Sequence, residues 1–153
     1  MTPRNYINKK VKELPPSGIR KFFDLVVNTK GVISLGVGEP DFVTPWHIRE
    51  ASVYSLEKGY TMYTSNYGLL ELRQEIARHF ANKYNLAYKP EGEILVTVGV
   101  SEAVDIVLRA VLEEGDEVLI PEPSFVSYKP CTILAGGTPI PIETTAATEF
   151  KLT

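Results

Sequence analysis

The chain has 153 residues, 44% of them hydrophobic and 23% charged, the balance of an ordinary globular domain that buries roughly 70% of its unfolded surface. A net charge of −3 leaves nothing to neutralise a phosphate backbone, which argues against nucleic acid as a partner. No apolar run approaches the roughly 20 residues of a membrane helix, and Met1–Asn5 leads into no secretory-signal core. Cys131, His47 and His79 are too sparse a set for a disulfide framework or a transition-metal site, so the expectation is a cytoplasmic protein without a metal.

Residues 1–16 are polar, and Pro15-Pro16 closes them off as an extended arm. Ser17 reads as an N-cap. Ile19, Phe22, Phe23, Val26 and Val27 follow at offsets 0, 3, 4, 7 and 8, the stripe of an amphipathic helix that Gly31 ends. Val32–Leu35 is a short strand. Gly36-Val37-Gly38-Glu39-Pro40-Asp41 is irregular, because two glycines and a proline interrupt it. Thr44 caps and Pro45 opens a further helix, which Gly59 stops. The next runs from about Leu69 to Tyr84, with Leu69, Leu72, Ile76, Phe80 and Tyr84 on one face. Ile94–Val98, Glu117–Pro121 and Thr138–Ile142 are short apolar strands, separated by helices over 101–113 and 125–135. That alternation predicts an α/β fold with parallel strands. Pro130 requires the last helix to kink or to start late.

Chemistry concentrates at a few places. Thr97-Val98-Gly99-Val100-Ser101-Glu102-Ala103 takes a strand through a tight turn into a helix capped by Ser101. The amides of Val100, Ser101 and Glu102 then face outward at the positive end of a helix dipole, an arrangement that suits a phosphate. The plainer alternative is that Ser101 caps its own helix and nothing binds; the Glu102 carboxylate repels a phosphate unless it points away. Gly36-x-Gly38 invites a dinucleotide-binding reading, which fails because Glu39-Pro40 stands where a third glycine and a helix are needed. Gly38 either lets a ligand approach the backbone or is a turn glycine. Phe125 lies at the carboxyl end of a buried strand, where ligands collect in open α/β sheets. Its ring either stacks on an aromatic cofactor or packs in the core. Tyr60, Tyr63 and Tyr67 precede Gly68; one of them can donate a hydroxyl to a phosphate, or all are ordinary loop tyrosines.

Taken together these segments resemble the class I and II pyridoxal-phosphate-dependent aminotransferases of fold type I. The resemblance is carried by Gly36-Val37-Gly38-Glu39-Pro40-Asp41-Phe42-x-Thr44-Pro45 and by Tyr63-(x4)-Gly68-Leu69-x-Glu71-Leu72-Arg73. Gly99-Val100-Ser101-Glu102-Ala103 and Gly115-Asp116-Glu117-Val118-Leu119-Ile120-Pro121 complete it. Leu14–Arg20 and Phe125-Val126-Ser127-Tyr128 lean toward the aspartate/aromatic branch. The resemblance implies the N-terminal part of the family's large domain, a parallel-rich sheet with helices on both faces, preceded by an arm and helix. Residues 1–44 would be the arm and small-domain segment, and 45–153 the first part of the cofactor-binding domain. Strands 117–121 and 138–142 would be parallel neighbours, while 94–98 belongs on the other side of a larger sheet and lacks its partners here.

Residue by residue, the resemblance gives Gly38 the substrate carboxylate and the amides of Val100, Ser101 and Glu102 the phosphate of pyridoxal 5'-phosphate. It stacks Phe125 on the pyridine ring and sends Tyr63 to the cofactor phosphate of the partner subunit in a homodimer. The implied reaction moves an amino group between an amino acid and a 2-oxo acid. The family's cofactor-linking lysine, the aspartate at the pyridine nitrogen and the substrate-carboxylate arginine are expected beyond Thr153, since Lys129 and Lys151 lie in no segment like that lysine's surroundings. By itself the chain is therefore expected to be inactive. Two alternatives share the ancestry: a non-catalytic interaction or cofactor-binding fragment, and a carbon–sulfur lyase of the same fold.

Overall fold

The computed structural model describes residues 6–19, 31, 33, 38 and 40–153. The expected helix after Ser17 and the strand Val32–Leu35 fall largely outside the described residues. The chain divides into two compact units, Ile33–Thr97 and a second made of Met1–Val32 with Val98–Thr153.

In the first unit, α2 spans Trp46–Glu57 and α3 spans Leu70–Tyr84; α1, Lys9–Glu13, belongs to the other unit. Pro45 sits at the cap of α2 rather than inside it, and its carbonyl accepts from the amides of Ile48 and Arg49. Proline has no N–H to leave unsatisfied there, so either position suits it. Gly59 follows the helix at φ +77°, a stop that glycine adopts without strain. Helix α3 ends at Asn85 in the left-handed conformation, where the amides of Asn85 and Leu86 close on the carbonyls of Ala81 and Phe80. Phe80 gathers Tyr84 and Tyr88 at ring separations of 5.5 and 5.8 Å. Of the expected apolar face, Ile76 and Phe80 are half-buried while Leu69, Leu72 and Tyr84 are exposed. The one fully buried residue of α3 is Arg73.

Residues 94–97 form no strand. A strand exists only as part of a ladder, and among the described residues the sheet is two-stranded and does not include them. The Val96 amide bonds to the Tyr67 carbonyl at 3.0 Å.

In the second unit, α1 (Lys9–Glu13) is capped by Asn8, whose side chain accepts from the Lys10 amide at 2.8 Å. Helix α4 covers Gly99–Val111, β1 Glu117–Glu122, α5 Tyr128–Ala135 and β2 Thr138–Glu143. The two strands pair in parallel, Glu117 opposite Thr138 through Glu122 opposite Glu143. This is the pairing that the alternating pattern predicts. The ladder runs past both ends: Thr138 N–H reaches Asp116 O at 2.7 Å, and both the amide and the hydroxyl of Thr144 reach Glu122 O. Pro130 stands in the first turn of α5, which starts three residues after Phe125, so the helix begins late instead of kinking. Gly136 ends it in the left-handed conformation. Among the described residues the buried core is small: Ile120 on β1, Thr132 on α5 and Thr144 after β2, with Arg73 in the other unit.

Candidate functional site

Helix α4 lies alongside α5, and the contacts fix their relative direction. Leu112, just past the end of α4, lies 2.9 Å from where a Cβ on Gly137 would stand, just past the end of α5. Next to it the Gly115 amide reaches the Gly136 carbonyl at 3.4 Å, so the two packed helices end together. The two helices therefore run the same way, and their first turns share one end. Helix α5 returns the chain from β1 to its parallel neighbour β2, so it starts at the carboxyl end of the strands. The first turn of α4 is thereby brought to the carboxyl end of the sheet, the side on which Phe125 follows β1.

This end is built from two kinds of group. The first turn of α4 has amides at Val100 and Ser101 for which the helix itself supplies no acceptor. Gly99 takes φ +73° to make the entry. Ser101 is not the cap. It lies inside the helix, no side chain caps the start, and the carboxylate of Glu102 instead reaches back to accept from the Val98 amide. The contact spans four residues, one more than the Glu-to-N-cap arm of a capping box, and Val98 at the cap has no side-chain oxygen to answer it. The Glu102 carboxylate is thereby engaged by the Val98 amide, on the turn that leads into the helix.

The second group is aromatic. The Phe125 ring is about half exposed, at 46%, and meets Tyr128 edge-on at 5.6 Å. It borders a cleft of about 330 Å³ lined by Ile120, Glu122, Pro123, Phe125, Val126 and Lys129. Glu122 and Lys129 give this largely apolar recess one group of each charge. Sequence patterning did not single them out as cleft residues, because nothing in a charge flanking a strand marks which way it faces.

On α4, Arg109 donates to Asp105 at 2.9 Å, which holds the guanidinium charged beyond its ordinary range. Burial pushes the Cys131 thiol up, and the Asp105 charge adds to the rise against the opposing effect of Arg109. Among the described residues no group of three or more His, Cys, Asp or Glu side chains could hold a metal ion. No described helix is long and apolar enough to cross a membrane.

Tyr63 and Gly38 belong to the other unit. Tyr63 lies in the connection between α2 and α3 and is fully exposed. Gly38 is exposed, and among the described residues no atom lies within 4 Å of where a side chain would begin. Tyr60 is exposed, and the ring of Tyr67 lies against the Arg73 guanidinium at 5.7 Å.

Residues 30–153 match the family described as aminotransferase class I and II. The chain is 56% identical over 149 residues to "Putative aminotransferase YugH" of Bacillus subtilis (strain 168), covering 97% of this chain and 39% of that protein. It is 50% identical to an aspartate aminotransferase of Pyrococcus abyssi, covering 90% of this chain and 35% of that protein. Among solved structures, the aspartate aminotransferase from Thermus thermophilus with maleate superposes with a TM-score of 0.87 at 33% identity. That match covers 98% of this chain and 40% of the Thermus chain. The chain thus spans about two fifths of the length of the proteins it matches.

Proposed function

The chain belongs to the class I and II aminotransferases, a pyridoxal-phosphate-dependent family, and on that premise we propose that the whole protein transfers an amino group between an amino acid and a 2-oxo acid. The observation that carries this reading is the pairing, at the carboxyl end of one parallel sheet, of a helix first turn with a half-exposed aromatic ring. Amide donors at a positive helix end suit a phosphate ester, and a flat ring beside an apolar cleft suits an aromatic heterocycle. The donor set fits pyridoxal 5'-phosphate. When bound, that cofactor supplies the electron sink for the chemistry at the amino-bearing carbon.

Within this reading the amides of Val100 and Ser101 hold the phosphate, and the Glu102 carboxylate, bonded to the Val98 amide, fixes the turn from which they project, while the Glu102 amide is taken up inside the helix. Phe125 supports one face of the ring. Gly38 admits the substrate carboxylate to the backbone, which its open surroundings allow. Tyr63 donates its hydroxyl to the cofactor phosphate of the partner subunit in a homodimer. Residues 1–44 form the arm and small-domain segment, and 45–153 open the large domain. The substrates lean toward the aspartate and aromatic amino acids, the former being named in two of the matched proteins.

The test uses the whole protein. It should bind pyridoxal 5'-phosphate and convert an amino acid and 2-oxoglutarate to the matching 2-oxo acid and glutamate. Phe125→Ala should weaken cofactor binding by about 0.5–1.5 kcal/mol from lost stacking, and by more where ring burial is also lost. A whole protein that retains no cofactor refutes the reading. One that binds it but releases sulfide from cysteine, with no amino transfer, assigns the lyase reaction instead.

A further inference from the structure

Arg73 is the anomaly of the first unit. It is 5% exposed, yet among the described residues no carboxylate pairs with it. A guanidinium out of water without a counter-ion is costly, and it persists only when its donors are otherwise satisfied. Here backbone carbonyls satisfy them. Nε donates to Gly68 O at 3.3 Å, while Nη1 donates to Pro90 O and, at 3.3 Å, to Glu91 O. The plane also lies over the Tyr67 ring. One planar fork thus ties the turn at 65–68 to the turn at 89–92, two stretches that no other described side chain links by hydrogen bonds. A lysine offers a single point charge and cannot span both in this way.

The turn it grips is held from other sides as well. Val96 N–H bonds to Tyr67 O, and Gly68 at φ +90° is packed so closely on Val96 that it has no room for a Cβ. Upstream, Ser65 O accepts from Gly68 N at 2.8 Å, Ser65 Oγ accepts from Tyr67 N at 3.2 Å, and Thr64 Oγ1 donates to Ser65 O at 3.1 Å. Tyr63 is the residue immediately before this bonded run.

We propose that Arg73 is a positioning residue, clamping the 65–68 turn so that the segment entering it presents the Tyr63 hydroxyl at a fixed place. The proposal rests on the cofactor-phosphate role given to Tyr63 above. A buried cation with no counter-ion adds little to stability that an apolar residue of its size would not supply. Its specific contribution is the placement of two turns.

The experiment measures pyridoxal 5'-phosphate affinity and the cofactor-free thermal transition of the whole protein. It compares Arg73→Lys and Tyr63→Phe, singly and combined. Tyr63→Phe should weaken affinity by about tenfold or more, the scale of a hydrogen bond to a charged group. Arg73→Lys should weaken it by about three- to tenfold when Tyr63 is present and by less than about twofold in the Tyr63→Phe background, the signature of coupled residues. Equal losses in both backgrounds overturn the proposal. So does a lowered thermal transition with unchanged affinity, which would make Arg73 a structural residue only. If Tyr63→Phe alone leaves affinity unchanged, the cofactor role of Tyr63 falls first and the positioning role falls with it, an outcome distinct from additive losses. Should Arg73→Lys fail to fold, Tyr67→Leu removes the ring beneath the guanidinium and carries the same comparison.

Discussion

Gly68→Ala is the substitution for which the structure fixes a magnitude most directly. Gly68 takes φ +90°, a conformation in which an alanine loses about 1–2 kcal/mol to the contact between its Cβ and the backbone. Its Cβ would also stand 2.7 Å from Val96 Cβ and 2.9 Å from Val96 Cγ2, so one of the two must move. Overpacking of that kind costs about 1–3 kcal/mol. Alanine recovers about 0.4–1 kcal/mol by stiffening the unfolded chain, which leaves a net loss of about 1–4.6 kcal/mol, about 3 kcal/mol at the middle of the ranges. Gly115 provides the control. It has φ +96° but nothing within 4 Å of its Cβ position, so Gly115→Ala should cost only the backbone share, about 1 kcal/mol. Val96→Gly, which removes the Cβ as well as the methyl groups, should restore the steric share in the Gly68→Ala background when compared with Val96→Gly alone, and leave the backbone share in place. Denaturant unfolding of the whole protein, followed by circular dichroism, measures each difference. If Gly68→Ala stays within about 0.5 kcal/mol of the parent, the close approach of the turn to Val96 is wrong.

Thr132 is fully buried and donates its hydroxyl to Tyr128 O at 2.9 Å, so the near-isosteric Thr132→Val should cost about 0.5–1.5 kcal/mol in the same unfolding assay. Because burial and Asp105 raise the Cys131 thiol, alkylation near neutral pH should be slower in the native protein than in the unfolded one. The same rise makes the thiol's contribution to stability fully present below the unfolded thiol's pKa of about 8.5 and lost as pH climbs through the higher native value, a decline that Cys131→Ser should flatten in unfolding measured across that range.

What the sequence reveals of this fold follows from how local each signal is. The strands at 117 and 138 are read correctly because the helix between them forces a parallel crossover, and β1 and β2 need only each other. Pro130 and Gly136 bound α5 by their own backbone restrictions, whatever surrounds them. Ile94–Thr97 has the same apolar character but no ladder to join, and character alone does not make a strand. At the site, the helix start after Gly99 is legible, but the choice between Ser101 and Glu102 as its capping group depends on side-chain reach. Arg73 is invisible to apolar periodicity, since a pattern that counts hydrophobic residues assigns a charged one to solvent. Its burial rests on carbonyls supplied from positions 68, 90 and 91, and no spacing rule connects those to an arginine.

The exposed apolar faces lead to the last prediction. Among the described residues Ile120 is the only buried large hydrophobic, while its neighbour Leu119 is 63% exposed on the opposite face of β1. Ile106, Val107 and Val111 of α4 and Trp46, Val53 and Leu56 of α2 are exposed as well. Each such side chain forgoes about 1.5–3 kcal/mol of burial, and so many large apolar groups left in water mark surfaces that another part of a structure covers. The relatives supply the reason, since they extend well beyond the two fifths that this chain matches. Residues 1–153 expressed alone should bind a hydrophobic dye and elute as aggregates or mixed species. Leu119→Lys should act in opposite directions in the two contexts. In the isolated segment it breaks an exposed apolar stretch of strand and should raise solubility. In the whole protein the same face would be covered, and an unpaired lysine there should destabilise by several kcal/mol. Size-exclusion chromatography with light scattering of the segment, and unfolding of the whole protein, measure the two effects. A monodisperse monomer of residues 1–153 with a sharp thermal transition, or a whole protein indifferent to Leu119→Lys, would show that the exposed face of β1 is a true outer surface.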